Sequence, residues 1–162
     1  TDLYFTSNMG DNKLFLNQGN LKFRDVTEQA GVAGMHGWTT GASVVDINND
    51  GLLDIYVSQL GDFLTMKGRN QLYVCREIRD GVPVYQDEAI PYGLDLVGFG
   101  TQAAFFDYDL DGRIELAVAT ATGLRPPSVL AARRPPLIPS RSPFPFPFLF
   151  FKLEPDNERK FF

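Results

Sequence analysis

The feature that most constrains this 162-residue chain is an internal repeat with a period of about 61 residues. Aligned segments share aromatic, apolar and acidic positions over much of their length. Three pairs align: Gly37–Asp46 with Gly98–Asp107, Asp46–Asp54 with Asp107–Glu115, and Asn12–Leu16 with Asn70–Val74. A period of this size indicates a supersecondary unit that buries its apolar faces against neighbouring units.

Each period contains short stretches rich in Val, Ile, Phe and Tyr between clusters of Gly, Asn and Asp, which is typical of strands and turns. Helix is a minor component, with one turn predicted at Thr27–Gly31. We predict strands near residues 3–7, 13–17, 21–26, 39–46, 54–58, 71–76, 82–86, 101–107 and 115–120.

The complete unit then has four antiparallel strands, and four such strands repeated radially describe the blade of a β-propeller. Closed propellers have typically about 4 to 8 blades, which is more than residues 1–120 can supply. We therefore predict an all-β fold, an incomplete β-propeller in which residues 1–120 form a partial blade, a full blade and a second partial blade. The chain is expected to be a piece of a larger protein.

Two acidic loops follow the pattern Asp-x-Asn/Asp-x-Asp-Gly-x-x-Asp/Glu between the first and second strands of successive units. Alternate side chains of a tight loop can converge on one point, and calcium prefers six to eight oxygen ligands. Gly51 and Gly112 permit the positive φ that bends each loop. The predicted Ca²⁺ ligands are Asp46, Asn48, Asp50, the carbonyl of Leu52 and Asp54 in the first loop, and Asp107, Asp109, Asp111, the carbonyl of Arg113 and Glu115 in the second.

Three alternatives to such a site agree less well with the sequence. An EF-hand needs a bidentate Glu at loop position 12, where this chain has Val57 and Val118, and it needs flanking helices. Solvated Asp-Gly turns without an ion would leave three or four carboxylates repelling each other on one small loop. Magnesium fits less well than calcium because it prefers a rigid octahedron and keeps its waters.

Through these motifs, residues 1–120, the body of the chain, resemble the FG-GAP/VCBS repeat family. Members of this family form the calcium-bearing propeller blades also found in integrin α-subunits. The likeness is clearest over Gly98–Val118 and again over Ala42–Val57. More narrowly, Asn12–Gly31 resembles the propellers of cartilage-acidic-protein-like (ASPIC/UnbV) secreted proteins. The resemblance implies that Asp2 is the last ligand of a third loop, and that the protein is extracellular, periplasmic or on the cell surface. One departure is Glu115, which replaces the usual final Asp.

The tail, residues 121–162, has a different composition from the body. Residues 1–120 carry 8 Lys+Arg against 17 Asp+Glu, whereas the tail carries 7 against 3 and nine of the eleven prolines. Because each proline removes a backbone donor and restricts φ, we predict an extended, irregular tail that is non-native or poorly ordered. A polyproline ligand or a membrane-surface anchor at residues 144–151 stays open as an alternative.

The composition also bears on function. No apolar run reaches the roughly 20 residues of a membrane span, and the acidic body argues against binding of nucleic acid. The single His36 and the single Cys75 have no accompanying catalytic motif, and we expect Cys75 to be a small buried hydrophobe. The preferred hypothesis is a non-catalytic, calcium-binding scaffold for protein or glycan ligands. The alternatives are the scaffold portion of a larger enzyme and a cytosolic calcium sensor.

Overall fold

The chain folds into three antiparallel β-sheets that stack in sequence order. The structure is a computed structural model, and it describes residues 1–8, 10–61, 64–65, 67–107, 110, 114–120 and 148–152. The strands are β1 (Leu3–Phe5), β2 (Lys13–Asn17), β3 (Phe23–Asp25), β4 (Trp38–Val45), β5 (Asp54–Leu60), β6 (Gln71–Arg79), β7 (Val82–Asp87), β8 (Gly100–Phe106), β9 (Glu115–Thr120) and β10 (Phe148–Lys152). Single helical turns are α1 (Thr27–Ala30) and α2 (Ala89–Tyr92).

The second sheet, β4–β7, is the complete four-stranded unit that the repeat predicts, and its strands pair in chain order. The first sheet, β1–β3, and the third sheet, ordered β10-β9-β8, have three strands each in the described residues. All pairs are antiparallel. The predicted all-β fold with incomplete propeller blades is therefore confirmed, and the nine strands predicted in the body all form, with ends that differ by up to three residues.

The core lies between the sheets because strand residues alternate between two faces. Ile55 and Val57 of β5 pack into a cluster with Leu14 and Leu16 of the first sheet. Tyr56, between them in sequence, points the other way and packs with Leu116 of the third sheet. The second sheet is thus covered on both sides, which explains why the first six residues of β5 are all buried.

Backbone contacts join neighbouring sheets at both junctions. The N–H of Thr39 donates to the carbonyl of Ser7 at 3.0 Å, and the N–H of Gly61 donates to the carbonyl of Gly98 at 2.7 Å. Each junction also has one isolated β-bridge, Asn8 with Trp38 and Leu60 with Phe99. Trp38 and Phe99 therefore occupy equivalent junction positions, as the repeat predicts.

Two elements differ from the sequence prediction. The turn α2 was not predicted, although it is the repeat equivalent of α1 and ends on Gly93 in the left-handed conformation, as α1 ends on Gly31. Pro91 is tolerated there because the N–H groups of a first helical turn have no intrahelical partner.

The prediction of an irregular tail was wrong for Phe148–Lys152, which forms β10 against β9. This segment lies between Pro147 and Pro155 and contains no proline, so its backbone donors are intact. Residues 121–147 and 153–162 lie outside the described residues, and the predicted boundary at residue 120 stays a prediction. Among the described residues, no helix has the length and apolarity needed to span a membrane.

Candidate metal centre

The first acidic loop, residues 46–54, connects β4 to β5 at one end of the second sheet. Gly51 has φ +83°, as the sequence predicts for the residue that bends the loop. Asn49 is also left-handed, with φ 58°, and Asn tolerates this region better than most residues. Two left-handed residues so close together reverse the chain between β4 and β5 within a few residues.

Backbone N–H groups of the loop donate to its own acidic side chains. The carboxylate of Asp46 accepts from the N–H of Asp50 at 3.0 Å and from the N–H of Gly51 at 2.9 Å. The carboxylate of Asp50 accepts from the N–H of Leu52 at 2.8 Å and from the side-chain amide of Asn48 at 2.8 Å. The loop is therefore organised around the oxygens that the sequence predicts as ligands.

Asp54 is the most buried of the predicted ligands that the structure describes, with no exposed surface. Its Oδ1 accepts from the N–H of Cys75 at 2.8 Å and its Oδ2 from the N–H of Ile47 at 2.9 Å. Burial raises the pKa of the Asp54 carboxyl, and the charges of Asp50 and Asp46 raise it further, while the two N–H donors lower it. The pKa of Asp54 in the folded state is therefore above its ordinary value of 3.8. The free energy of unfolding falls as the pH rises from 3.8 through this raised pKa, because Asp54 must then ionise in its buried position.

The second acidic loop is described only in part. Asp109, Asp111 and Arg113 lie outside the described residues, whereas Asp107 follows β8 and Glu115 begins β9 with 7% of its surface exposed. Leu110 has φ 59°, which matches the φ of Asn49, its equivalent in the repeat. The two loops thus share a left-handed residue at the same position.

Asp2 occupies in the first sheet the position that Asp54 occupies in the second. The N–H of Asn17 on β2 donates to Oδ1 of Asp2 at 2.8 Å, as the N–H of Cys75 on β6 donates to Oδ1 of Asp54. Only the resemblance to known repeats indicated this equivalence from the sequence. Nothing in the sequence indicated that Cys75 and Ile47 hold the carboxylate of Asp54 by their backbones. Cys75 is buried, as predicted.

The donors of the first loop match calcium in chemistry because they are all oxygens and carry three negative charges. A carboxylate has about four lone-pair sites, so the N–H contacts leave each of these groups able to accept a further interaction. In the described part of the chain, however, no three His, Cys, Asp or Glu side chains are grouped so that they could hold a metal ion. The residues fit the ion by donor type. The carboxylates of Asp46 and Asp50 accept from groups of their own loop, and that of Asp54 accepts from Ile47 in the loop and from Cys75 on β6.

These stacked antiparallel sheets, with acidic loops between first and second strands, are of the propeller-repeat class. Residues 1–57, about a third of the chain, match the FG-GAP-like repeat. The matched segment includes the first sheet, β4 and the whole first acidic loop. No curated protein matches the chain. The match supports the FG-GAP repeat family for this segment, and the internal repeat relates the third sheet to it.

Proposed function

We propose that the chain is a calcium-binding, non-catalytic scaffold of the propeller-repeat type that works outside the cytosol and binds protein or glycan partners. The single observation that carries the proposal is the buried carboxylate of Asp54, whose pKa is raised by burial and by the charges of Asp50 and Asp46. Charge repulsion and burial both disfavour this arrangement in the absence of a counter-ion. A bound divalent cation supplies the positive charge that offsets both effects.

In the first loop Asp46, Asn48, Asp50 and Asp54 would hold the ion by their side chains and Leu52 by its carbonyl. In the second loop the corresponding residues are Asp107, Asp109, Asp111, the carbonyl of Arg113, and Glu115. The role of these residues is to hold the turn between the first two strands of a sheet in one conformation. A rigid sheet end can then present neighbouring surface loops to a partner.

The proposed location follows from the calcium affinity expected for loops of this kind. Extracellular calcium modules have dissociation constants of about 10⁻⁴ to 10⁻³ M, so millimolar calcium adds roughly 0.4 to 1.4 kcal/mol of stability per site. Cytosolic calcium is too dilute to fill sites of this kind. An extracellular, periplasmic or cell-surface location is therefore the one in which such loops contribute to stability.

Thermal unfolding in millimolar calcium and in a chelator tests the proposal. We expect calcium to raise the Tm by a few degrees, since 1 kcal/mol shifts the Tm of a domain of this size by about 2–4 °C. Magnesium at the same concentration should give a smaller shift. Equilibrium dialysis should find two bound calcium ions per chain.

Asp50→Asn is the variant for the first loop, because it removes one charge and keeps an oxygen. The matched control is Asp80→Asn in the exposed turn between β6 and β7. Asp50→Asn should lower the dialysis count to one ion and reduce the Tm shift, whereas Asp80→Asn should change neither. A wild-type Tm that is the same in calcium and chelator would refute occupied loops.

A further inference from the structure

Three side-chain amides are buried where the first sheet meets the second. Asn12 precedes β2, Gln59 lies on β5 and Gln71 begins β6, and each has at most 3% of its surface exposed. Gln59 and Gln71 lie on the face that carries Ile55 and Tyr73, because alternate residues of a strand share a face. We call the three residues the amide cluster. A buried amide is unfavourable unless its donors and acceptors are paired, so each group of the cluster needs a partner.

The orientation of the Gln59 amide follows from a chain of hydrogen bonds that begins at an ion pair. The carboxylate of Asp87 accepts from Nη2 of Arg69 at 2.9 Å and from Nε2 of Gln71 at 3.3 Å. An ionised carboxylate can only accept, so Gln71 must turn its nitrogen toward Asp87 and its oxygen away. That oxygen accepts from Nε2 of Gln59 at 2.7 Å. The chain therefore leaves Oε1 of Gln59 as its free end.

Oε1 of Gln59 is an acceptor without a donor from the protein. The atom is buried, and no residue that the structure describes donates a hydrogen bond to it. An unpaired buried acceptor loses its hydration without compensation, and folded proteins usually pair such atoms with a protein group or with an ordered water. Oε1 of Gln59 therefore calls for a partner that donates a hydrogen bond.

Two glycines lie against this oxygen and limit the size of its partner. A Cβ atom on Gly37 would be 2.6 Å from Oε1 of Gln59, and a Cβ atom on Gly68 would be 2.9 Å from it. Any larger residue at either position would take up the space beside the oxygen. Because Gln59 is only 1% exposed, a partner larger than a solvent molecule does not reach it.

The second unpaired group of the amide cluster is a donor. Nδ2 of Asn12 is buried and has no hydrogen-bond partner in the described part of the chain. It lies near Gln71, since a Cβ atom on Gly34 would be 3.0 Å from this nitrogen and 3.8 Å from Oε1 of Gln71. Asn70, the repeat equivalent of Asn12, differs because its Nδ2 donates to the hydroxyl of Tyr56 at 2.8 Å. The amide cluster thus has one unpaired acceptor and one unpaired donor.

We propose that the amide cluster is an internal binding site for water, in which a water molecule donates a hydrogen bond to Oε1 of Gln59 and water also accepts from Nδ2 of Asn12. Water suits both groups because it donates and accepts, whereas a metal cation offers nothing to an N–H donor. The bound water satisfies buried groups from both sheets and so stabilises their junction. The proposal does not rest on calcium binding.

A high-resolution crystal structure of the 162-residue chain tests the site directly. We expect an ordered water about 2.5–3.0 Å from Oε1 of Gln59, with Nε2 of Gln59 still bonded to Gln71. A protein donor in that place would overturn the proposal. A cation surrounded by oxygens, or density for no molecule at all beside Oε1, would overturn it as well.

Oxygen-17 relaxation dispersion of the solvent tests the site in solution, because it counts water molecules that stay bound to the protein. Gln59→Met removes the acceptor and keeps a side chain of similar length. We expect this variant to bind one long-lived water fewer than the wild-type chain. An equal count in the two would overturn the proposal.

The matched control is Gln86→Met, since Gln86 is exposed on β7. It removes the same amide from the surface and should leave the count of long-lived waters unchanged. Far-ultraviolet circular dichroism should show that both variants keep the fold. If Gln59→Met does not fold, the crystal structure of the wild-type chain decides between the outcomes.

Discussion

The hydroxyl group of Thr27, buried at the start of α1, forms two hydrogen bonds. It donates to Oδ1 of Asp25 at 2.6 Å and accepts from the N–H of Leu14 at 2.9 Å. This side-chain donor is the largest cause of the lowered pKa of the Asp25 carboxyl. In the second sheet the equivalent position is Ala89, and the carboxylate of Asp87 accepts directly from the N–H of Leu72 at 3.3 Å.

Replacing Thr27 should therefore affect both stability and the titration of Asp25. We expect Thr27→Ala to lower the free energy of unfolding by about 1–3 kcal/mol, because the N–H of Leu14 loses its buried acceptor. The pKa of Asp25 should rise back toward its ordinary value of 3.8. Urea denaturation and NMR titration of the carboxyl measure the two effects.

The direction of the pH dependence follows from the lowered pKa. In the wild-type chain, ionised Asp25 contributes stability above pH 3.8, and this contribution is lost as the pH falls through the lowered pKa of the folded state. Thr27→Ser keeps the hydroxyl and is the control that should retain most of both effects. Equal pKa values in the Ala and Ser variants would show that the hydroxyl is not the cause.

Leu110 has a left-handed backbone with 85% of its surface exposed. A left-handed conformation costs an ordinary L-residue roughly 1–2 kcal/mol, and Asn pays less because its short polar side chain can hydrogen-bond locally. We expect Leu110→Asn to raise the free energy of unfolding by about 1 kcal/mol. The reciprocal change, Asn49→Leu at the equivalent position, should lower it by a similar amount in the same urea experiment. If both substitutions changed the free energy of unfolding in the same direction, the left-handed conformation shared by Asn49 and Leu110 would be contradicted.

At the scale of single elements, the sheets repeat their hydrogen bonds as well as their strands. Tyr4 on β1 donates its hydroxyl to the carbonyl of Val32 at 3.0 Å, and Tyr56 on β5 donates to the carbonyl of Leu94 at 3.1 Å. Each tyrosine thereby connects a strand to the residue that follows the left-handed glycine after α1 or α2. Tyr56 also accepts from the side-chain amide of Asn70 at 2.8 Å.

The two tyrosines form a matched pair for substitution by Phe. We expect Tyr56→Phe to lower the free energy of unfolding by about 1–3 kcal/mol, since it leaves the buried carbonyl of Leu94 and the amide of Asn70 without this partner. Tyr4→Phe should cost less, because Tyr4 is only half-buried. Urea denaturation of both variants gives the comparison, and a larger loss at Tyr4 would contradict the structure.

At the scale of the whole molecule, the strand β10 occupies the third place in the third sheet. Phe151 lies opposite Leu116 in an antiparallel pair, so β10 takes beside β9 the place that β6 takes beside β5. The chain therefore returns from residue 120 to the same sheet after a connection of 27 residues, 121–147. This pairing makes part of the tail a structural component of the third sheet.

Removing residues 148–162 should expose the edge of β9. We expect amide hydrogens of β9 that face β10 to exchange roughly tenfold faster or more, because they lose their inter-strand acceptors. Removing residues 153–162 alone is the control and should leave their exchange rates unchanged. Hydrogen exchange followed by mass spectrometry measures both, and equal rates in the two truncated chains would show that β10 does not form in solution.

How much of this protein the sequence predicts depends on whether a feature is local and repeated. The strands of the body, the turn at Thr27–Gly31 and the left-handed Gly51 were predictable, because each has a short-range pattern that occurs in more than one unit. The turn α2 was missed because Pro91 makes Ala89–Tyr92 look unlike Thr27–Ala30 in sequence, although the two segments form the same helical turn. The orientation of the carboxylates in the first loop was not predictable, since it depends on nearby N–H groups.

The amino-acid sequence by itself determined the period, the strands and the places of the acidic loops, because these follow from residue type and short-range spacing. Only the tertiary structure decided which face of each sheet is covered, that Asp54 is held by the backbones of Ile47 and Cys75, and that Phe148–Lys152 pairs with β9. The physical reason is that burial and strand pairing join residues far apart in the chain. Their energies depend on which surfaces meet, and local pattern does not specify this.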